Sequence, residues 1–437
     1  QSKNKMQEEY GRAYVNKVRA RYPGVPGRAD YCVYWFRRAH DELPLGGRAG
    51  LVGTNTIRQN YSREGGLDHI VATGGTITDA VSTQVWSGDA AVHVSIVNWV
   101  KGPATGPRRL ARQVGNAEQS PWESVKLDHI GPSLSFGLDV SEAVALRVNV
   151  ESGGCYQGQT HGHEGFLLPR GEAEALLAKR PEYAEVLKPY LTADELLGER
   201  DSRPKRYVID FGQRDLLTSR HFPELFAIVE SRVLPDRKLA AGRERERSAE
   251  ATAANTAAKT NRHHVNFLAS WWQLSYARRE LLEALSHLPR YIVCGQVTKR
   301  TIFEFVSPEI NPNAALIAFP FVDDYSFGIL QSSYHWKWFE ARCSTLKGDF
   351  RYTSNTVFDS FPWPQQPKAG QVVAVAEAAR KLRVVRRDLR ARHKLSLRDL
   401  YRSSEQPGKH PLLDAHATLD AAVVAAYGAP AQGDALT

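Results

Sequence analysis

The alternation of apolar and polar positions is clearest in the first hundred residues. In "ADYCVYWFRRAHDEL", Cys32, Phe36, Ala39 and Leu43 recur at the spacing of one helical face. "PLGG" breaks that run, and "RAGLVGTN" predicts a short buried strand. "SREGGLDHIVATGG" predicts a second helix, capped by Ser62 and ending on Gly74 and Gly75. "TITDAVST" and "AAVHVSIVNWV" follow as strands with no helix between them, the signature of an antiparallel hairpin, which we place at a sheet edge. Helices interleaved with short apolar strands predict an open α/β sheet covered by helices on both faces.

Periodicity then fades. From Lys101 to about Ser120 the chain is polar and rich in Gly, Pro and Arg, and we read residues 102–150 as a linker region. Residues 151–365 form a mixed region with strand-like pieces "RYVIDF", "RYIVCGQVT", "TIFEFV" and "AALIAFPFV". Within it "AGRERERSAEATAANTAAKTNRHH" is low in complexity and reads as an exposed helical insertion or mobile loop. Residues 366–437 read as helical and basic: Arg380 to Arg402 holds ten Lys/Arg against two Asp.

Composition narrows the classes. A chain of 437 residues with 42% apolar content can bury two or three cores. A net charge of +9 fits an anionic partner such as nucleic acid, because clustered cations neutralise phosphates and release counterions. Cys32, Cys155, Cys294 and Cys343 lie far apart without a CxxC, which argues against a disulfide framework or zinc ribbon and suits the cytoplasm. No apolar run approaches the roughly 18 residues of a membrane span. The chain opens on Gln1 rather than Met, in a loop before a helix, and reads as a fragment.

Few constellations of chemical groups stand out. Cys155, His161 and His163 could ligate a metal, but their spacing matches no structural zinc pattern, and a Gly-rich loop explains them better. No GxSxG elbow or Walker A loop is present. "YHWKWFEARCSTLKGDFRYTSNTVFDSFPWP" interleaves aromatic and basic residues, as a nucleic-acid surface would, although an amphipathic helix packing Tyr334, Trp338 and Phe339 accounts for the same letters. Trp86, in the Ser-Gly loop ahead of a strand, is either a core residue or a platform for a planar ligand.

Taken in order, "GRADYCVYWFRRAHDELPLGGRAGLVGTNTIRQ", "REGGLDHIVATGGTITDAVSTQVWSGDAAVHVSIVNW", "GCYQGQTHGHEGFLL", "RYVIDF", "FGILQSSYHWKWFEARCSTLKGDFRYTSNTVFDSFPWP" and "LDAAVVAAYG" resemble the adenine-specific DNA methyltransferases of the MmeI-like type II restriction-modification family, with their TaqI-like recognition domains. The resemblance implies an α/β fold: part of a class I S-adenosylmethionine-dependent methyltransferase sheet over residues 1–101, a mixed α+β DNA target-recognition domain over 151–365, and a helical basic tail.

It also implies site roles. Asp30 and Asn55 would line the S-adenosyl-L-methionine site. Trp86 would stack on an adenine swung out of the duplex, which returns on the order of 1–3 kcal/mol of lost stacking. Lys299, Arg300, Arg351 and Asn355 would read double-stranded DNA, with phosphate contacts from the tail fixing register. No metal is implied. The NPPF or NPPY motif and the Gly-rich cofactor turn would lie upstream of Gln1, in a missing N-terminal half, and a nuclease or helicase-spacer region of the same polypeptide is a further expected partner. The competing expectation is a non-catalytic DNA-specificity subunit that recruits a separate methyltransferase.

Overall fold

A computed structural model describes residues 3–88, 92–136, 140, 143–254, 262–346 and 349–428. The chain divides into two compact units: Gln1–Val144 with Glu340–Phe350, and Ala145–Phe339 with Arg351–Ala435.

The first unit is built on strands β1 (Arg48–Thr54), β2 (Gly75–Val85), β3 (His93–Lys101), β4 (Arg108–Gln113) and β5 (Trp122–Leu127), in spatial order β1-β3-β2-β4-β5. β2 and β3 pair antiparallel as expected, but in the middle of the sheet rather than at its edge, with β1 beside β3 and β4 parallel to β2. The interior position suits β3, whose Val97, Trp99 and Val100 are all buried.

Residues 102–150 were expected to be a linker, yet β4 and β5 within them complete the sheet. Their letters hide this because only Leu110 of β4 is a buried apolar residue. Five of the remaining positions carry charge, Arg108, Arg109, Arg112, Glu123 and Lys126, and at two of them the register sets opposite signs face to face. Arg109 lies opposite Asp79 and bonds it at 2.9 Å, and Arg112 lies opposite Glu123 at 2.7 Å.

The Cys32–Glu42 helix buries Val33, Tyr34, Phe36 and His40, while Cys32, Ala39 and Leu43 are only partly covered. Phe36 stacks on Trp99 with ring centres 5.7 Å apart, joining helix to sheet around Met6, Ile57, Leu67 and Leu110. Ser62 is not a helix cap: helical structure starts at Asn60, and the buried Ser62 Oγ accepts the Asp30 N–H at 3.0 Å. The expected helix is instead two short α segments flanking a π turn at Glu64–Asp68. Gly66 packs closely in that turn, since a Cβ there would stand 2.9 Å from Ile57 Cδ1.

The second unit contains two four-stranded sheets. One has the order β12 (Glu304–Val306), β10 (Tyr291–Gly295), β14 (Leu316–Phe319), β6 (Tyr156–Gln157); the other β13 (Asn311–Pro312), β8 (Leu187–Leu191), β9 (Arg206–Ile209), β7 (Leu167–Pro169). Gln159 holds them together: its amide donates to Asp210 at 2.7 Å and to the Ala277 carbonyl at 2.8 Å, while its side-chain oxygen accepts from Asn311 at 3.0 Å. Such a buried polar network is tolerated because its members satisfy each other.

The low-complexity segment is the end of a long helix, Pro223–Ala254, and its last residues, His263 and His264, open the His263–Ala269 helix; residues 255–261 lie outside the described residues. It is less exposed than its composition suggests. Ala241 and Glu244 are buried, and the Glu244 carboxylate accepts the Val265 N–H at 2.9 Å. The basic C-terminal stretch folds as helices Ala369–His393, Leu397–Ser403 and Pro411–Ala426. Gly328 lets the first and last of these close on the Asp324–Gln331 helix: a Cβ there would meet Val375 at 2.8 Å and Leu419 at 3.2 Å. No helix among the described residues is long and apolar enough to cross a membrane.

Candidate nucleic-acid interface

In the first unit, one end of the sheet gathers the polar side chains singled out in the sequence. Asp30 precedes the Cys32–Glu42 helix, and its Oδ2 accepts hydroxyl bonds from Thr54 at 3.1 Å and Thr56 at 2.5 Å. These threonines flank Asn55, whose Oδ1 accepts from Arg58 Nε at 3.0 Å and Ser95 Oγ at 3.1 Å. Asp30 and Asn55 therefore belong to one cluster at the carboxyl end of β1. Arg58 was not expected there. Loss of solvent, with Arg112 adding to it, pushes its guanidinium down to about 10.

Trp86 stands at the same end. Thr54 of β1 and Gln84 of β2 both lie opposite Val94 of β3, so the register places the two strand ends about 10 Å apart. Trp86 follows two residues after Gln84, and its N–H closes the turn onto the Val92 carbonyl at 3.0 Å. The indole is 41% exposed, whereas Trp99 on β3 is 1% exposed and fills the core. Gly88 leaves room for that ring, since a Cβ there would stand 2.4 Å from Trp86 Nε1.

In the second unit the four expected base readers come from two segments that hydrogen-bond. The Tyr352 N–H donates to the Gln296 carbonyl at 2.7 Å, bringing Arg351 and the turn holding Asn355 beside the turn after β11 (Val297–Thr298), which carries Lys299 and Arg300. Asn355 and Lys299 are exposed. Arg300 is less available: it pairs with Glu405 at 3.1 Å and lies 5.7 Å from the centre of the Tyr401 ring.

Other candidates resolve into packing. Trp338, Phe339 and His335 are buried, and Tyr334 stacks on Tyr427 at 5.3 Å, so the aromatic and basic segment is mostly core. His163 uses both ring nitrogens, on Asp236 at 2.9 Å and the Gly165 N–H at 2.9 Å. Burial pushes the Cys155 thiol well up. Among the described residues no group of three His, Cys, Asp or Glu side chains could hold a metal ion.

Residues 154–365 match the family model described as the MmeI target recognition domain. Among solved structures, the type IIL restriction-modification enzyme MmeI in complex with DNA superposes with a TM-score of 0.73 at 19% identity, over 97% of this chain and 53% of that one. The chain thus spans about half the length of MmeI. The type IIG restriction endonuclease BpuSI gives a TM-score of 0.30 at 9% identity, over 95% of this chain and 52% of that one. The DrdV–DNA complex gives 0.35 at 10%, over 86% and 42%. No curated protein matches the sequence.

Proposed function

We propose that residues 1–437 are the trailing part of a site-specific DNA adenine-N6 methyltransferase of a restriction-modification or phage-defence system. In this reading residues 154–365 recognise the DNA sequence, and the first unit contributes the rim of the methyl-transfer site. The observation that carries the reading is the match of residues 154–365 to the MmeI target recognition domain, in a chain that superposes along nearly its whole length on MmeI.

The polar end of the first sheet fits an S-adenosyl-L-methionine site. Ligands of α/β sheets bind beyond the carboxyl ends of strands, and the Asp30 Oδ1 accepts no hydrogen bond from the described residues, which leaves it able to take one from a nucleoside hydroxyl. Bound there, the cofactor supplies a sulfonium methyl group for in-line displacement. Asp30 and Asn55 orient it, and Trp86 offers an exposed face on which an extruded adenine regains stacking. The rest of the catalysis is positioning and preorganised dipoles. Residues 1–437 contain no Asn-Pro-Pro-aromatic sequence to polarise the exocyclic amine, so this stretch alone transfers no methyl groups.

Two assays test the reading. Selection of bound duplexes from a random pool yields a consensus if the second unit reads sequence; recovery of unbiased DNA overturns that part. Labelled methyl incorporation into DNA by residues 1–437 alone overturns the assignment of catalysis elsewhere.

A further inference from the structure

One face of the Ala369–His393 helix carries Arg380, Arg383, Arg387 and Arg390, and Lys394 follows at its C-terminal cap. The intervals of three, four, three and four residues align all five cations along one side. They line an open groove of about 920 Å³ whose opposite wall comes from residues 200–203 and from β12 with the residues after it. Arg200, Arg203 and Arg386 bring the cations lining it to eight, against two carboxylates, Asp201 and Glu304.

Internal pairing does not neutralise this excess. Arg387 is bonded to its neighbour Asp388, and its side chain is 72% exposed. Arg390 is spent on neutral groups, the Arg200 carbonyl at 2.7 Å and Ser202 Oγ at 2.9 Å, which fasten the far wall to the helix. The Nε atoms of Arg383, Arg386 and Arg390 are buried without a hydrogen-bond partner. Arg383 and Arg380 meet Asp324, another carboxylate outside the groove lining, at 2.7 and 3.9 Å.

The length of the row identifies the ligand class. From Arg380 to Lys394 the helix rises roughly 21 Å, far more than one phosphate group needs. Along the axis of a duplex, where the phosphates of one strand advance about 3.4 Å each, that distance spans about six. We infer that this groove tracks the sugar-phosphate backbone of double-stranded DNA, through residues other than the loop residues Lys299, Arg351 and Asn355 assigned to base reading. The inference rests on the proposed DNA-binding role of the chain and adds a second, sequence-independent contact to it.

The test is the salt dependence of binding to a fluorescent random-sequence duplex, compared between the full 437-residue chain and its Arg387→Gln, Arg380→Gln and Arg387→Gln/Lys394→Gln variants. Each phosphate contact contributes about 0.9 to the slope of log affinity against log salt. A single variant should therefore flatten the slope by about 0.9 and narrow the affinity loss between about 50 and about 200 mM salt by about 3.5-fold; the double variant should do so about twice over. Arg147→Gln, an 88% exposed side chain outside the groove, should leave the slope unchanged. Equal slopes for wild type and groove variants, with wild type binding duplex normally, overturn the groove and leave the proposed function standing. Failure of the wild type to bind any duplex overturns both. Thermal melts of every variant confirm that the fold is kept.

Discussion

The Tyr401 hydroxyl lies 2.9 Å from Nε2 of His416, and its oxygen accepts a hydrogen bond from the Arg386 guanidinium. Burial, with Arg386 and Arg300 adding to it, favours neutral His416, whose Nε2 can then accept the tyrosine proton. Arg386 is itself 1% exposed and donates to the Phe303 carbonyl at 2.8 Å and to the Gln331 side chain. A residue from a basic run thus ties the C-terminal helices to the β12 region, and one buried cation forbids a second beside it.

Stability should fall with acidification. Burial pushes His335 and His416 down to about 3, and Arg386 and Arg300 add to the effect at His416. Unfolded histidine titrates near 6.5, so between about 6.5 and about 3 the unfolded chain binds protons that the folded chain refuses. Their contribution is complete above about 6.5 and is lost as pH drops, at up to about 1.4 kcal/mol per pH unit for each histidine. Asp210 and Asp420, raised by burial, act in the opposite sense. Urea midpoints at about pH 7.5 and about pH 5 should differ, and His416→Gln should shrink that difference by roughly half. A difference unaltered in His416→Gln refutes the assignment.

Replacing Arg386 by Met should be severe although the residue is drawn from a charged tail. The substitution removes the guanidinium donor from the buried Phe303 carbonyl, from the Tyr401 hydroxyl oxygen and from the Gln331 side-chain oxygen, which keeps only the Phe303 N–H at 2.9 Å. Hydrogen bonds from charged groups contribute about 1.5–3 kcal/mol each, so a loss on the order of 3 kcal/mol is expected. Chemical denaturation checks this, and Arg387→Met, one position along and exposed, should cost under about 0.5 kcal/mol.

Two tryptophans fifteen or fewer residues apart should separate stability from function. Trp99→Ala removes a ring packed against Phe36 and should cost about 3–5 kcal/mol. Trp86→Ala removes a half-exposed ring and should cost under about 1 kcal/mol, while under the proposed function it should weaken capture of an extruded adenine by the full-length protein about 5- to 150-fold, equivalent to about 1–3 kcal/mol. Fluorescence of 2-aminopurine at the target base reads the second effect. A Trp86→Ala protein that melts like Trp99→Ala would show that the indole is a packing residue.

The sequence was readable where burial and local periodicity coincide. The β2–β3 hairpin and the Cys32–Glu42 helix follow from their own letters, because each buries apolar residues at its own period. β4 and β5 do not, since they are held by backbone pairing to other strands, with Arg109 and Arg112 facing acids across the register, a relation no local window contains. Strand order is invisible for the same reason. At the candidate site the family resemblance names Asp30 and Asn55, but the threonines that bracket Asn55 and the approach of Arg58 depend on a turn geometry that composition does not encode. Arg386 was lost within a charge run because nothing local distinguishes it from Arg387; only the helix packed against it does.

The last expectation concerns the Gly-rich loop "GCYQGQTHGHEGF". Gly158 follows β6 and passes so close to β13 that a Cβ would stand 2.2 Å from the Asn313 carbonyl oxygen and 2.5 Å from that of Pro312. Both are backbone atoms, so no side-chain rotation relieves the clash. One of the two chains must move, and the adjacent bonds from Gln159 to Asp210 and Asn311 would move with it. Gly158→Ala should therefore destabilise by more than about 2 kcal/mol, well beyond an ordinary surface substitution. Gly171→Ala, with nothing within 4 Å of its added carbon and a position inside the Arg170–Lys179 helix, should instead stabilise by about 0.5–1 kcal/mol through helix propensity. Thermal melting of the two variants side by side gives opposite shifts if the loop is held by this close backbone approach, and equal ones if it is not.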